Sequence, residues 1–139
     1  DNRDLHVRSR RQRQMCIRDR IWAARPDGPF DLLMGIGAAP EGVISATAIR
    51  GLGGVFEGRL VFRSPEEEAR AENMVGDDLT RLCEAHDLCK SEKALFAASR
   101  VCDGYLPAAI LGDTHTTTFG EVIDVESGTV RRIETTRKI

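Results

Sequence analysis

Gly35-Ile36-Gly37-Ala38-Ala39-Pro40-Glu41 sets a carboxylate at the mouth of a glycine-rich turn, with a helix expected to begin at Pro40. Backbone N–H groups at such a point are free to meet a phosphate or another anion, and a carboxylate there can instead hold a hard cation beside one. Two nucleotide-binding motifs fail on particular residues. A dinucleotide fingerprint starting at Gly35 requires glycine where the chain has Pro40. A phosphate loop starting at Gly37 requires Lys-Ser/Thr after Gly42, where Val43-Ile44 stand. The plain alternative is a connector in which Glu41 only complements the helix dipole.

The other chemically capable groups are weaker. Cys83 and Cys89 flank His86 and Asp87, but structural zinc usually uses a shorter cysteine spacing and a second ligand pair, and only Cys102 and His115 are left to supply one. Free thiols packed like small hydrophobes are expected instead. His115 beside Asp113 has the makings of a general base, yet no serine or cysteine nucleophile is signalled near it. Arg131 and Arg132 are adjacent on an expected strand, so at most one of them faces any given site. Glu66-Glu67-Glu68 fits a solvated helix start. No catalytic residue is assigned.

A scaffold for the loop must come from 139 residues, enough for one small domain or part of a larger one. At 41% hydrophobic and 30% charged residues the chain is compositionally globular. No apolar run approaches the roughly 20 residues of a membrane span, and the arginine-rich start lacks the apolar core of a secretory signal. Four cysteines are too few for a disulfide scaffold, so a reducing cytoplasm is the expected compartment. The net charge of −2 averages two unlike pieces: residues 1–20 carry +4 and residues 21–139 carry −6. Such a break marks a boundary. The string Arg10-Arg11-Gln12-Arg13-Gln14-Met15-Cys16-Ile17-Arg18-Asp19-Arg20 resembles the in-frame translation of a common sequencing-library adapter. Residues 1–20 are therefore expected to be a non-native, disordered arm whose deletion leaves the melting temperature unchanged. A nucleic-acid role would rest on that arm alone, because the remainder is acidic.

Along residues 21–139 the local signals alternate. Ile21–Ala24 is a short apolar segment before the turn Pro26-Asp27-Gly28-Pro29. Phe30–Met34 reads as a buried strand, Pro40–Arg50 as a helix stopped by Gly51–Gly54, and Val55–Phe62 as a second strand. Together they predict a β-loop-α-β unit with a right-handed crossover. Ser64 and Glu67 fit a capping box opening a helix to about Met74. Gly76-Asp77-Asp78 opens a further helical stretch with Leu79, Leu82 and Cys83 on one face. Ala94–Ser99 is a strand, Asp103-Gly104 a turn, and Thr116–Val125 with Thr129–Glu134 a hairpin around Glu126-Ser127-Gly128. About five strands and three helices make an α/β layer.

The loop from Gly35 to Val43, continuing through Ala46, Arg50, Gly53-Gly54 and Arg59-Leu60, resembles the signature of class II fructose-1,6-bisphosphatases of the GlpX type. Phe96-Ala97-Ala98-Ser99 with Asp103-Gly104 is similar to that family's Phe-x-Ala-Thr-Gly strand and turn, and Thr116-Thr117 with Ser127–Ile133 to its C-terminal hairpin. The resemblance implies the C-terminal part of a layered sugar-phosphatase fold, shared with inositol monophosphatases, in which a mixed sheet is flanked by helices. It implies Mn²⁺- or Mg²⁺-dependent hydrolysis of the 1-phosphate of fructose 1,6-bisphosphate in gluconeogenesis, by a homo-oligomer when full length. Nucleic acid and membrane are not implied as partners. Glu41 matches the family's metal-binding glutamate, and Ala38 stands where the family has a substrate-contacting glycine. That contact survives if Ala38 keeps a negative φ. Ser99-Arg100 replaces a Thr-Gly pair, Cys102 a threonine and Tyr105 an acidic residue. The family's other metal-binding acids and its phosphate-binding arginines have no counterpart here, so the chain is expected to be an inactive fragment. Open alternatives are a sedoheptulose-1,7-bisphosphatase, another sugar or inositol phosphatase, or a non-catalytic anion-binding module.

Overall fold

The computed structural model describes residues 17–29, 31–75, 78–100 and 106–139. Helix α1 spans Ile17–Ala23 and helix α2 spans Ala39–Gly51, with Pro40 in its first turn. Pro40 suits that turn because its missing N–H has no intrahelical acceptor there. Leu52 closes α2 by donating its N–H to the Ala48 carbonyl, and Gly53, at φ 70°, takes the left-handed conformation that lets the chain leave the helix. Strand β1 is Glu57–Gly58, helix α3 is Pro65–Val75, strand β2 is Cys83–Glu84 and helix α4 is Ala85–Leu88. Four more strands follow: β3 (Leu95–Arg100), β4 (Ile110–Leu111), β5 (His115–Asp124) and β6 (Val130–Lys138).

Strand β5 organises the larger sheet. Strands β3 and β4 pair antiparallel with successive stretches of one edge of β5, and β6 runs antiparallel along the other. The turn from β5 to β6 is made by Asp124, whose carboxylate accepts the Glu126 N–H at 3.0 Å and the Ser127 N–H at 3.3 Å, and by Gly128 at φ 64°. The pleat sends Phe96, Ala98, Glu121 and Ile123 to one face and Ala97, Ser99, Gly120 and Val122 to the other. Helices α1 and α2 cover the first face. Ile21, Ala48, Phe96 and Ile123 form the core, edged by Ile17, Leu52 and Ala98. The buried side of α2 is made of small residues, Ser45, Ala46, Ala48 and Gly51. A Cβ at Gly51 would collide with Ile123, which is why α2 can end directly on β5.

The α/β class and the C-terminal hairpin stand as expected, with the sheets antiparallel rather than mixed. Three local expectations do not. Residues 31–38 form no regular element, and Leu32, Met34 and Ile36 are exposed; Phe30 lies outside the described residues. Val55–Phe62 contributes only β1, which pairs antiparallel with β2, so no parallel crossover unit forms among the described residues. A strand needs a ladder partner as well as an apolar pattern, and neither run has one of matching length among the described residues. Asp78–Leu82 is a turn, because the Asp78 carboxylate accepts the Thr80 N–H at 2.8 Å and hydroxyl at 2.6 Å in place of a helical start. The expected Asp103-Gly104 turn, with Cys102 and Tyr105, lies outside the described residues.

The boundary expected after residue 20 falls inside α1. Asp19 and Arg20 are buried together with Ile21, and Ile17 packs at the edge of the core. Residues 17–20 are therefore helical and packed, residues 1–16 lie outside the described residues, and deletion of residues 1–20 is expected to be felt. Removing residues 1–20 should lower stability by about 1–2 kcal/mol, roughly 3–6 °C in melting temperature, from the lost apolar burial of the first turn of α1. An unchanged melting curve would show that this turn adds nothing.

Candidate functional site

The glycine-rich loop and the N-terminus of α2 come together with α1. Ala38 is the N-cap of α2 at φ −71° and ψ 148°, ordinary extended backbone, so alanine carries no conformational penalty at this position. Among the described residues no side chain caps the helix, so its first N–H groups have no side-chain acceptor there, in a loop that is exposed from Gly35 through Pro40. Glu41 follows in the first turn, its side chain 44% exposed.

Nothing in the sequence spacing points to what faces Glu41. Arg20, on α1, is 7% exposed, and its guanidinium lies 3.9 Å from the Glu41 carboxylate and 3.4 Å from the Ser45 hydroxyl. Ser45 in turn donates to the Glu41 carbonyl at 2.6 Å. Gly37 lies against the same guanidinium, and any Cβ there would overlap it. The Arg20 Nε has no hydrogen-bond partner among the described residues. Arg20 is thus held by packing and by two long polar contacts, beside the carboxylate that the sequence singled out.

That arrangement does not fit a hard divalent ion. Such ions take about six or more oxygen ligands, and a single carboxylate facing a guanidinium offers far fewer. Among the described residues, no three His, Cys, Asp or Glu side chains converge as a metal cage. Cys83, on β2, and Cys89, after α4, are free and half-buried thiols, where buried ones on a helix and a loop were expected. His86 is exposed and lies near Glu84 and Asp87, whose carboxylate accepts the Glu84 N–H at 2.8 Å and is held below the usual range first by that hydrogen bond. His115 opens β5 on the surface, its Nδ1 2.8 Å from the Thr114 hydroxyl. Arg132 points to the helix-covered face and reaches Glu121 at 3.6 Å, while Arg131 takes the opposite side.

Two further features involve α2. Ser99, at the end of β3, lines a cleft of about 320 Å³ together with Ile17, Ile21, Ile44, Phe96 and Leu106. Arg50, in the last turn of α2, donates to the carbonyls of Cys89 and Ser91 and pairs with Glu92 at 2.7 Å. The Glu92 hydrogen bond is the main reason its pKa is raised. Arg50 therefore clamps the loop after α4 to the C-terminal end of α2.

The sequence model of the family described as bacterial fructose-1,6-bisphosphatase, glpX-encoded, matches residues 7–137. The chain belongs to this family. Among curated relatives, the D-fructose 1,6-bisphosphatase class 2/sedoheptulose 1,7-bisphosphatase 1 of Acaryochloris marina is 41% identical over 120 residues, covering 77% of this chain and 35% of the relative. The D-fructose 1,6-bisphosphatase class 2/sedoheptulose 1,7-bisphosphatase of Synechococcus sp. is 40% identical over 118 residues, covering 74% and 33%. That of Prochlorococcus marinus is 42% identical over 87 residues, covering 53% and 26%. As a member of the glpX-encoded bisphosphatase family, the chain spans about a third of the length of the first two relatives. No helix among its described residues is long and apolar enough to cross a membrane.

Proposed function

We propose that this chain is the C-terminal part of a phosphatase that removes the 1-phosphate from fructose 1,6-bisphosphate, with Mn²⁺ or Mg²⁺ as its cofactor. The observation that carries this is the family match over residues 7–137, which takes in the exposed glycine-rich loop and the uncapped start of α2 with Glu41. Sedoheptulose 1,7-bisphosphate is a second substrate of the same chemistry, as the relatives' names indicate for those proteins. In this reading Glu41 supplies one carboxylate to a site whose other ligands lie outside the 139 residues. The loop backbone around Ala38 supplies N–H groups to the sugar phosphate. Divalent ions in a complete site would supply charge stabilisation for the hydrolysis, with Glu41 as one of several residues that would hold them. The described residues of this chain hold too few ligands for that by themselves, and in this reading the chain alone is expected to be inactive.

Phosphate release should be measured with both bisphosphates and Mn²⁺, for the 139-residue chain and for a full-length protein containing it. Release by the full-length protein alone is expected. Turnover by the short chain would refute its incompleteness, and a full-length protein inert toward both bisphosphates would refute the function.

A further inference from the structure

Strand β6 is exposed at all nine of its positions, Val130–Lys138. It pairs with β5 along one edge, and no strand among the described residues pairs with the other. A long free edge is a template for another strand, and natural edges are usually guarded by charge. Here the charges are arranged in a way that admits one partner. Two copies pairing antiparallel about a two-fold axis perpendicular to the sheet keep their helix-covered faces on the same side. Residues that meet across that axis must then share a face. With Ile133 on the axis, Arg132 meets the partner's Glu134 and Glu134 meets the partner's Arg132. Arg131 then meets the partner's Thr135, and Val130 meets the partner's Thr136. Shifting by one permitted step in either direction sets Arg132 against its own copy, or Arg131 against the partner's Arg137.

We infer that the free edge of β6 pairs with the β6 of a second copy of this chain, in the register centred on Ile133. Glu134 has no ion pair among the described residues, and Arg132 is 63% exposed with only a 3.6 Å contact to Glu121. Both groups are available to the partner. Arg132 would then lie between the buried Glu121 of its own copy and the partner's Glu134, making a charge ladder across the joint. The apolar centre of the contact is Ile133, which is 46% exposed in the single chain. This pairing rests on the edge and its charges and does not depend on the phosphatase reading.

Sedimentation velocity over a concentration series should show a reversible dimer. Glu134→Arg, an exposed change that sets arginine against Arg132, should weaken that dimer roughly tenfold or more. A second readout fixes the register. Ile133→Cys brings the two introduced Cβ atoms to about 4.5–5.5 Å, within reach of a disulfide after a small adjustment, so mild oxidation should cross-link it. Thr135→Cys sets its two copies four positions apart, about 13 Å, and should not cross-link above the unmodified chain. A monomer at every concentration, a dimer indifferent to Glu134→Arg, or equal cross-linking from both cysteine variants would each overturn the proposal.

Discussion

Replacing Glu41 by glutamine in the full-length protein is expected to reduce metal-dependent phosphate release about a thousandfold. A divalent ion contributes several kcal/mol to the hydrolytic transition state, and each 1.36 kcal/mol is worth about a factor of ten in rate. Glutamine keeps the volume of Glu41 and removes its charge, so the loss should fall on metal affinity and turnover rather than on folding. The side chain is 44% exposed and its nearest charged partner, Arg20, is 3.9 Å away, so little native packing depends on it. The check is steady-state phosphate release across an Mn²⁺ titration, with a melting curve alongside. A near-normal rate with an unchanged metal dependence would remove Glu41 from the site and leave it as a helix-dipole partner. A lower melting temperature with normal turnover would give it a structural role only.

The fold was legible where local chemistry and tertiary partner coincide. Pro40 and Glu41 marked the start of α2 because both suit a first helical turn, and the glycines of Gly51–Gly54 marked its end, where Gly53 takes a positive φ. The β5–β6 hairpin was legible from its alternating pattern and from Gly128, and β5 then found partners on both edges. Phe30–Met34 and Val55–Phe62 carry signals of the same quality. They failed because a strand is completed by another strand, and no local pattern reports whether that partner is present. Met34 at 80% and Val55 at 86% exposure are the consequence. At the site, Ala38 and Glu41 stand where the loop placed them, at the start of α2. Arg20 carries no such signal. Its neighbours Glu41 and Ser45 lie 21 and 25 positions away, beyond any helical or strand period, and its own segment reads as foreign to the rest of the chain.

Truncating Glu121 to alanine is expected to be the most destabilising single change in the sheet, at about 3–5 kcal/mol. Glu121 lies on the helix-covered face of β5, two positions before Ile123, and its side chain is completely buried. Arg25, in the turn after α1, is 8% exposed and donates to its carboxylate. Both partners are shielded from water, so the pair is not weakened by solvent as a surface pair would be. Alanine would remove the Glu121 carboxylate from beside a buried guanidinium, and losing a buried charged partner costs more than losing one neutral hydrogen bond. Glu121→Gln should cost less, because it keeps the shape and an acceptor. Arg132→Ala should cost about 1 kcal/mol or less, because that arginine is 63% exposed and 3.6 Å away. Chemical denaturation of the three variants should give that order, and a Glu121→Ala loss no larger than that of Arg132→Ala would show that the buried pair is not what holds α1 on the sheet. The consequence reaches the site. Arg25 follows two residues after α1, the helix that carries Arg20, so loosening its ion pair to β5 is expected to loosen the Arg20 contacts with Gly37 and Glu41 as well.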